Sequence, residues 1–471
     1  MCAHPYRRLH DARRYVHLPF CKRKCLYCDF PVVAVGRKAS YEGDAMMEGY
    51  VDALVREIAS TPVFETHRGE GDESYRGIQA RQVGQERSGG EGAEGGTPST
   101  LSTIYFGGGT PSLVSIRSLD RILSALRSRF GAEAAQEITI EADPGTFDAS
   151  TLRAYVDLGV TRVSVGVQAF DDTLLDLCGR SHALYDVYKA IDDIHASSIP
   201  SWSLDLISGL PGLDLELWER NILAAIDAGP KHVSSYDLQV EPSTPFGKMY
   251  RPGTRPLPSD DDAATMYAMA SGMFRGAGYD HYELSSFALR EQGKDHRCLH
   301  NGVYWDGGGY YAFGMGAASY VGGVRVVRPR TLRGYTDWVG RFAALMEEQG
   351  EDIRARQMIL PHVDGVRSTG EDMLTDAVML QLRKGGGLRL RERIVDRFER
   401  GDVIASVIRQ AVAEHIQRGL VEVIEEVEQV DASGRKQVTE VVVRLTDPDG
   451  FLMSNDVISD IFLALDELKF D

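Results

Sequence analysis

Short apolar runs alternate with segments of helical hydrophobic spacing through much of the chain. The runs, several rich in Val and Ile, predict strands, and apolar residues recurring about every three to four positions between them predict amphipathic helices. The predicted strands cover 15–20, 102–106, 137–142, 162–168, 201–207, 232–240 and 280–284. The predicted helices cover 41–60, 118–130, 150–158, 186–196, 215–228 and 261–277. This alternation predicts an α/β fold of parallel strands and helical crossovers, arranged as a partial (β/α)6 barrel.

Two regions depart from this alternation. Residues 62–101 are rich in Gly, Glu, Ser and Arg and poor in large apolar residues, which predicts a disordered surface insertion. From about residue 365, predicted helices over 371–382, 388–398 and 403–419 precede a predicted hairpin of strands 420–425 and 440–445 and a closing helix 455–465. We therefore expect a C-terminal winged-helix-like α+β module. The predicted division is a basic tail at 1–14, a barrel at 15–290, a barrel-closing segment and linker at 291–364, and the module at 365–471.

Composition excludes several classes of protein. Of 471 residues, 26% are charged, which is typical of globular chains. The net charge is −17, since 52 Lys and Arg face 69 Asp and Glu, so we expect no nucleic-acid partner held by bulk charge. No run approaches the roughly 20 apolar residues of a transmembrane helix, and no secretory signal is visible. We expect a cytoplasmic protein, or a mitochondrial or plastid one if a leader is missing, and leave peripheral membrane contact open.

Three cysteines lie close together in a Cys-x3-Cys-x2-Cys motif formed by Cys21, Cys25 and Cys28. Thiolates are soft ligands suited to iron–sulfur clusters, and three of them leave the fourth iron of a cubane open to a small molecule. Zinc is the main alternative, although a structural zinc site is usually closed by four protein ligands. The cations Lys22, Arg23 and Lys24 are expected to lower the thiol pKa values and to offset cluster charge.

The cysteine motif and the sequences around it resemble the radical S-adenosylmethionine (SAM) superfamily, in particular the oxygen-independent coproporphyrinogen oxidase family. The motifs occur in that family's order: YVHLPFC from Tyr15, FGGGTP from Phe106, EADP from Glu141, VGVQ ending at Gln168, Arg180, and LDLISGLP from Leu204. Phe30 and an HNxxYW signature from His300 to Trp305 resemble the HemW haem-chaperone branch of that family. The resemblance implies a TIM-like radical SAM barrel.

The resemblance also implies cofactors and the residues that hold them. It implies a [4Fe-4S] cluster on the three cysteines, with SAM bound at the open iron. The implied SAM-binding residues are Tyr15, Tyr27, Gly108, Gly109, Thr110, Glu141, Gln168, Arg180 and Asp205. Five of these, Gly109, Thr110, Gln168, Arg180 and Asp205, match a second SAM site in the related oxidase, so one or two SAM molecules are left open. We expect the glycine loop to expose backbone N–H and C=O groups to SAM.

For the HemW branch, the resemblance implies binding of haem and its delivery to haem proteins, respiratory ones among them, with an electron donor such as a flavodoxin or ferredoxin. His300 is the candidate haem ligand, with Tyr304 and Trp305 framing the porphyrin and His296 and Cys298 as alternative ligands. A second hypothesis is an oxygen-independent coproporphyrinogen III oxidase, which decarboxylates its substrate oxidatively to protoporphyrinogen IX. A third is a zinc-stabilised binding module.

Overall fold

The computed structural model describes the chain in six segments. They are residues 13–37, 41–63, 103–131, 135–348, 365–430 and 436–468. From residue 64 onward, the insertion predicted at 62–101 lies outside the described residues, as does the basic tail up to residue 12.

Strands and helices alternate through the first two thirds of the chain, as the hydrophobic pattern predicts. The strands are β1 (Arg14–Leu18), β2 (Phe20–Cys21), β3 (Val33–Ala34), β4 (Thr103–Gly108), β5 (Glu137–Ala142), β6 (Arg162–Gln168), β7 (Ser201–Ser208), β8 (His232–Asp237), β9 (Tyr279–Glu283), β10 (Ser286–Leu289) and β11 (Tyr311–Phe313). The helices are α1 (Ala45–Ser60), α2 (Ile116–Phe130), α3 (Ala149–Asp157), α4 (Asp172–Cys178), α5 (Leu184–His195), α6 (Leu215–Asp227), α7 (Pro245–Met249), α8 (Asp260–Gly276) and α9 (Leu299–Trp305). A 3-10 turn, Pro111–Leu113, follows β4.

Nine of these strands form one open sheet in the order β11-β1-β4-β5-β6-β7-β8-β10-β9. The strands from β1 to β8 in this order pair in parallel, and β11 adds parallel to β1. At the other edge, β10 pairs antiparallel with β8 and with β9, so β9 and β10 form a hairpin. The sequence pattern predicts only one strand in this region, over 280–284. The expected partial barrel is confirmed, and the carboxyl ends of its six central parallel strands meet on one face.

A buried ion pair connects helix α1 to the segment that follows β11. Glu57 of α1 accepts hydrogen bonds from Arg328 Nε at 2.8 Å, from the Tyr335 hydroxyl at 2.7 Å and from the Gly314 amide at 2.9 Å. Because both carboxylate oxygens and the guanidinium have partners, this buried pair leaves no charge uncompensated. The elements after β11 are β12 (Ala318–Val321), β13 (Val324–Val327), α10 (Leu332–Glu348) and β14 (Gly365–Arg367), and the three strands form a separate antiparallel sheet.

The C-terminal part has its own apolar core, around residues such as Val378, Ile408 and Ile461. Its elements are α11 (Gly370–Leu382), β15 (Leu388–Arg389), a π-helical turn Arg391–Val395, α12 (Gly401–Ala411), α13 (Ala413–Gln417), β16 (Val421–Val430), β17 (Lys436–Leu445), α14 (Asp449–Leu452) and α15 (Ser454–Asp466). β15, β17 and β16 form an antiparallel sheet. The helices and this sheet together form the winged-helix-like module that the pattern predicts.

One helix predicted in this module is wrong over its first residues. The stretch 388–398 begins as strand β15, because Leu388 and Arg389 pair with Val443 and Val442 of β17. Only the following π-helical turn is helical. Two-residue pairing with a distant strand is a tertiary contact that local apolar spacing does not encode.

Candidate functional site

The cysteine motif lies in the loop that joins β2 to β3. The loop is closed at its base, because Val33 N donates to Pro19 O at 2.7 Å and Val35 N donates to Cys21 O at 2.9 Å. Its middle is tethered through Leu26, whose N–H donates to Cys178 O at 2.9 Å. Backbone contacts at both ends and in the middle therefore fix the positions from which the three thiols project.

Polar groups from the segments that follow β4 and α4 face two of the sulfurs. The Thr110 hydroxyl lies 3.7 Å from Cys21 Sγ, and Arg180 Nη1 lies 3.3 Å from Cys25 Sγ. The same Arg180 nitrogen donates to the Tyr27 hydroxyl at 3.1 Å. Donors directed at sulfur stabilise thiolate and cluster charge, so these contacts suit an anionic iron–sulfur centre.

Burial outweighs the expected lowering of the pKa of Cys28 by a neighbouring cation, Lys24. Burial raises the pKa of Cys21 to about 12 and also raises the pKa of Cys28, where the attraction of Lys24 is a smaller effect. Lys22 donates to Gly145 O at 2.7 Å, which directs its charge toward the loop after β5. Metal coordination must therefore displace the thiol protons.

The three thiols fit an iron–sulfur cluster better than a single ion. All three are free, partly exposed and line the same cavity. In the described segments no three His, Cys, Asp or Glu side chains are placed to hold one metal ion. A cubane spreads its irons over separate corners, so its thiolate ligands need not converge on a point.

The cavity has a volume of about 870 Å³ and opens at the carboxyl ends of the parallel strands. Twelve sequence-predicted cluster and SAM residues line it, together with Tyr304. Those twelve are Tyr15, Cys21, Cys25, Tyr27, Cys28, Gly108, Gly109, Thr110, Glu141, Gln168, Arg180 and Asp205. Ligand pockets commonly fall between roughly 300 and 1,000 Å³, so this one has room for a nucleotide-sized ligand.

Glu141 is the carboxylate nearest the glycine loop. It accepts a hydrogen bond from the Tyr105 hydroxyl at 2.9 Å and another from the Gly108 amide at 3.0 Å. Burial nevertheless raises the pKa of Glu141 to about 7, against the opposing effect of these two donors. A carboxylate so held at a strand end can accept hydrogen bonds from the ribose hydroxyls of a nucleotide.

The glycine loop offers a ligand fewer hydrogen-bond donors than expected, because its N–H groups already donate to other groups of the protein. Gly108 donates to Glu141, Gly109 donates to Leu18 O at 2.9 Å, and Thr110 donates to Phe20 O at 2.7 Å. The expected exposure of N–H groups is therefore wrong. Carbonyl oxygens are the acceptors that an ammonium group needs, so binding of such a group here would depend on the carbonyls of the loop.

Gly108 has a steric reason to be glycine. Its φ is +114°, and a Cβ at this position would lie 2.4 Å from the imidazole ring of His17. The loop therefore packs directly on β1. This close approach is available only to a residue without a side chain.

A second set of residues lies further round the barrel. Arg180 Nη2 donates to Asp143 Oδ1 at 2.5 Å and to Gly166 O at 2.9 Å. Gln168 has a φ of +69°, an unusual backbone conformation for a residue with a side chain, at an irregularity in the β6–β7 pairing. Burial raises the pKa of Asp205 to about 6, even though serine hydroxyls such as Ser164 Oγ face it. Strained backbone and buried charge are typical of a ligand site.

Comparison with known proteins agrees with this geometry. The family model described as the Radical SAM superfamily matches residues 15–222. The heme chaperone HemW of Synechocystis sp. is 36% identical over 456 residues, covering 96% of this chain and 97% of that protein. The chain belongs to the HemW family of radical SAM proteins. The HemW of Escherichia coli is 32% identical over 346 residues, covering 72% of this chain and 78% of the relative.

A solved structure shows the same fold as this HemW-family chain. Coproporphyrinogen III oxidase (HemN) from Escherichia coli superposes with a TM-score of 0.64 over 96% of this chain and 90% of the oxidase. Its sequence identity is 18%, so the likeness establishes the architecture alone. Among the residues that the structure describes, no helix is long and apolar enough to cross a bilayer.

The HNxxYW segment of this HemW-family chain starts at the amino ends of β4 and β5, and its Tyr304 reaches the cavity that the cysteines line. His300 is buried, and its Nδ1 lies 2.8 Å from Thr103 Oγ1 at the start of β4. Its Nε2 lies 2.9 Å from the Tyr304 hydroxyl. Trp305 is half-buried and, unlike Tyr304, does not line the cavity. Ligation of haem iron by His300 stays a prediction, and it requires one of these two contacts to break.

The side chains of the two alternative haem ligands also have partners within the protein. Cys298 is buried with its sulfur 3.6 Å from Glu137 Oε1, and His296 Nε2 lies 3.0 Å from Glu291 Oε2. Both residues stay outside the cavity lining.

Several cavity residues were not assigned a role from the sequence. His17 and Asp143 belong to the motifs YVHLPFC and EADP, so the sequence motifs could have identified both as candidate site residues. Tyr236 and Arg330 carry no motif and reach the cavity only through the fold.

Proposed function

We propose that this chain is a HemW-type haem chaperone whose three motif cysteines hold a [4Fe-4S] cluster with SAM at its open iron, and which binds haem and delivers it to haem proteins. One observation carries the SAM assignment: Cys21, Cys25 and Cys28 share a cavity with Gly108 and Glu141 at adjacent strand ends. Similarity to HemW proteins along nearly the whole chain supports the haem assignment.

In this proposal, the protein residues hold and orient the reactants. The cluster, when bound, supplies one electron to SAM, and the chemistry of that step belongs to the cofactor. The glycine loop accepts hydrogen bonds from the SAM ammonium group, and Glu141 accepts them from the ribose. Arg180, fixed between Asp143 and Gly166 O, keeps positive charge beside Cys25. The remaining predicted residues, Tyr15, Tyr27, Gly109, Thr110, Gln168 and Asp205, line the rest of the SAM cavity.

The finer assignments of partner and location are part of the same proposal. We assign a flavodoxin- or ferredoxin-type electron donor, respiratory haem proteins as acceptors, and a cytoplasmic location. The family resemblance supports the first two.

The experiment is haem transfer under anaerobic conditions. The full chain is purified without oxygen, loaded with haem, passed through gel filtration and mixed with a haem-free acceptor protein. Transfer of the haem spectrum to the acceptor is the expected result. If coproporphyrinogen III, SAM and a reductant instead give protoporphyrinogen IX with sustained turnover, the chain is an oxidase and the chaperone function is wrong.

A further inference from the structure

The cavity continues outward beyond the residues that serve the cluster and SAM. We call this outer part the mouth. The mouth is formed by Lys24, Phe30, Pro31, Val32, Ala318 and Arg330. These residues come from the end of the cysteine loop and from the segment that closes the barrel, and none has a role in holding SAM.

Phe30 is exposed although its backbone is held firmly. Its side chain and backbone together are 64% exposed, and few aromatic residues in the described segments are as exposed. Arg330 Nη2 donates to Asp29 O at 2.9 Å, and Ser243 Oγ donates to Asp29 Oδ1 at 2.8 Å. Lys24 Nζ contacts Phe30 O at 3.4 Å. An aromatic side chain carried on a fixed backbone at a cavity opening can stack on a planar ligand, and only the rotation of the side chain itself is then lost.

The wall beside Phe30 is apolar and closely packed. A Cβ at Gly316, whose φ is +72°, would lie 2.4 Å from Pro31 Cγ, so the two segments touch without an intervening side chain. The next two residues, Ala317 and Ala318, present only methyl groups to the cavity. Small side chains leave space for a flat, wide ligand.

Positive charge flanks this apolar surface on a chain whose net charge is −17. Lys24 is exposed, and the Arg330 side chain is 61% exposed. The nearest carboxylate contact of Arg330 is loose, with Asp29 Oδ2 at 3.8 Å, and Asp29 is already held by Ser243. The cavity lining also includes two further acidic residues, Glu241 from the loop after β8 and Asp237, the exposed last residue of that strand. Two exposed cations beside an aromatic ring complement a planar apolar ligand that carries carboxylates.

We propose that the mouth is where haem docks, with its porphyrin ring on Phe30 and its propionates paired with Arg330 and Lys24. This inference rests on the proposed haem function and supplies a binding surface for it. The contacts involve the ring and the carboxylates, so the site requires no ligand to the iron. Haem bound here lies at the opening of the SAM cavity, whose lining does not include His300.

The test is a haem titration of the full chain, loaded with its cluster and kept without oxygen. Phe30→Ala and Arg330→Gln are each expected to weaken haem affinity about tenfold, because each removes one of the main contacts. Phe30→Tyr should keep wild-type affinity. Two matched controls should also leave it unchanged: Tyr185→Ala, an aromatic residue on α5 that is 75% exposed, and Arg333→Gln, whose side chain is 95% exposed. Iron and sulfide content of each variant checks that the cluster is intact.

Porphyrin analogues separate this site from one built on an iron ligand. Iron-free protoporphyrin IX should bind nearly as well as haem, and haem dimethyl ester, which lacks the carboxylates, should bind more weakly. If the wild type binds haem but Phe30→Ala and Arg330→Gln bind it equally well, the mouth is not the site and the chaperone function survives. If binding needs iron and is lost in His300→Ala, the imidazole holds the haem and our proposal is wrong. If the wild type binds no haem, the proposed function itself fails.

Discussion

At the scale of single residues, Glu141 shows how position decides chemistry. Two donors, the Tyr105 hydroxyl and the Gly108 amide, favour its charged form. Burial disfavours that form more strongly and raises the pKa to about 7. The carboxyl group therefore changes charge near neutral pH, and ligand binding there should depend on pH.

We predict opposite effects of Glu141→Gln on SAM binding and on stability. SAM affinity of the wild type should rise as pH increases through about 7, where the carboxylate becomes charged, and the variant should bind about tenfold more weakly with no such rise. The folded-state pKa lies above the ordinary value of 4.5, so the wild type loses stability as pH rises from there to about 7. The variant escapes this cost and should be more stable at alkaline pH by about 1–3 kcal/mol.

Isothermal titration with SAM and thermal unfolding, each across a pH series, measure the two effects. Glu219→Gln, an exposed residue of α6, is the matched control and should change neither. A Glu141→Gln variant with wild-type SAM affinity at every pH would remove Glu141 from the SAM site.

The residues of the site differ in how far sequence could predict them. Three cysteines in one short loop need only local spacing to be recognised, and the structure brings them to one cavity. The fate of the glycine loop's N–H groups was not predictable, because their acceptors on Glu141, Leu18 and Phe20 lie on other strands. Arg330 reaches the mouth from about 300 residues away along the chain and carries no local motif.

At the scale of elements, α9 closes the amino end of the barrel. Glu137, the first residue of β5, accepts hydrogen bonds from the Leu299 amide at 3.1 Å and from the His300 amide at 3.0 Å. These are amides at the start of the helix, which lack partners within it. The His300 ring also stacks on Tyr105 with centroids 5.2 Å apart, so the helix contacts the side chain that bonds Glu141.

We therefore predict that Glu137→Ala lowers the free energy of unfolding by about 1–3 kcal/mol, because one buried and one partly buried amide lose their acceptor. Chemical denaturation followed by circular dichroism measures this change. Glu216→Ala on α6 provides the comparison, since its side chain is 83% exposed and a surface ion pair contributes little. Equal stability of the two variants would show that Glu137 does not fasten α9.

Element types followed from the sequence where hydrophobic periodicity was long and local. The strands 137–142 and 162–168 agree with the structure in both bounds. The short helix α4 and strand β10 were not predicted, since each is too brief for periodicity to be visible. The stretch 388–398 was misassigned because pairing with β17 overrides its helical spacing.

At the scale of the whole molecule, side chains of the C-terminal module contact the barrel at several places among the described residues, one of them at Asp447 and a second near α9. Asp447 lies 2.9 Å from His281 Nδ1 and accepts a hydrogen bond from Ser271 Oγ at 2.6 Å. Near α9, Lys384 pairs with Asp306 at 2.6 Å, and Gln381 donates to Trp305 O at 2.5 Å. The second contact joins the module to the helix that carries His300 and Tyr304.

Removing one of these contacts should loosen the module. We predict that Asp447→Ala lowers the free energy of unfolding by about 1–3 kcal/mol, because the buried His281 and Ser271 lose a hydrogen-bond partner. Proteolysis near residue 365 should become faster in the same variant. Glu399→Ala, an exposed acidic residue of the module, should behave as the wild type. Unchanged proteolysis and stability in Asp447→Ala would mean that this contact does not hold the two parts together.

The central claim is that three thiolates hold a four-iron cluster with one iron open to SAM. Anaerobic reconstitution followed by iron and sulfide analysis and electron paramagnetic resonance, with and without SAM, tests it most directly. We expect about four iron and four sulfide per chain, a reduced-cluster spectrum that shifts when SAM is added, and loss of both in Cys25→Ser. Bound zinc in place of iron, or a cluster spectrum that SAM leaves unchanged, would contradict the account.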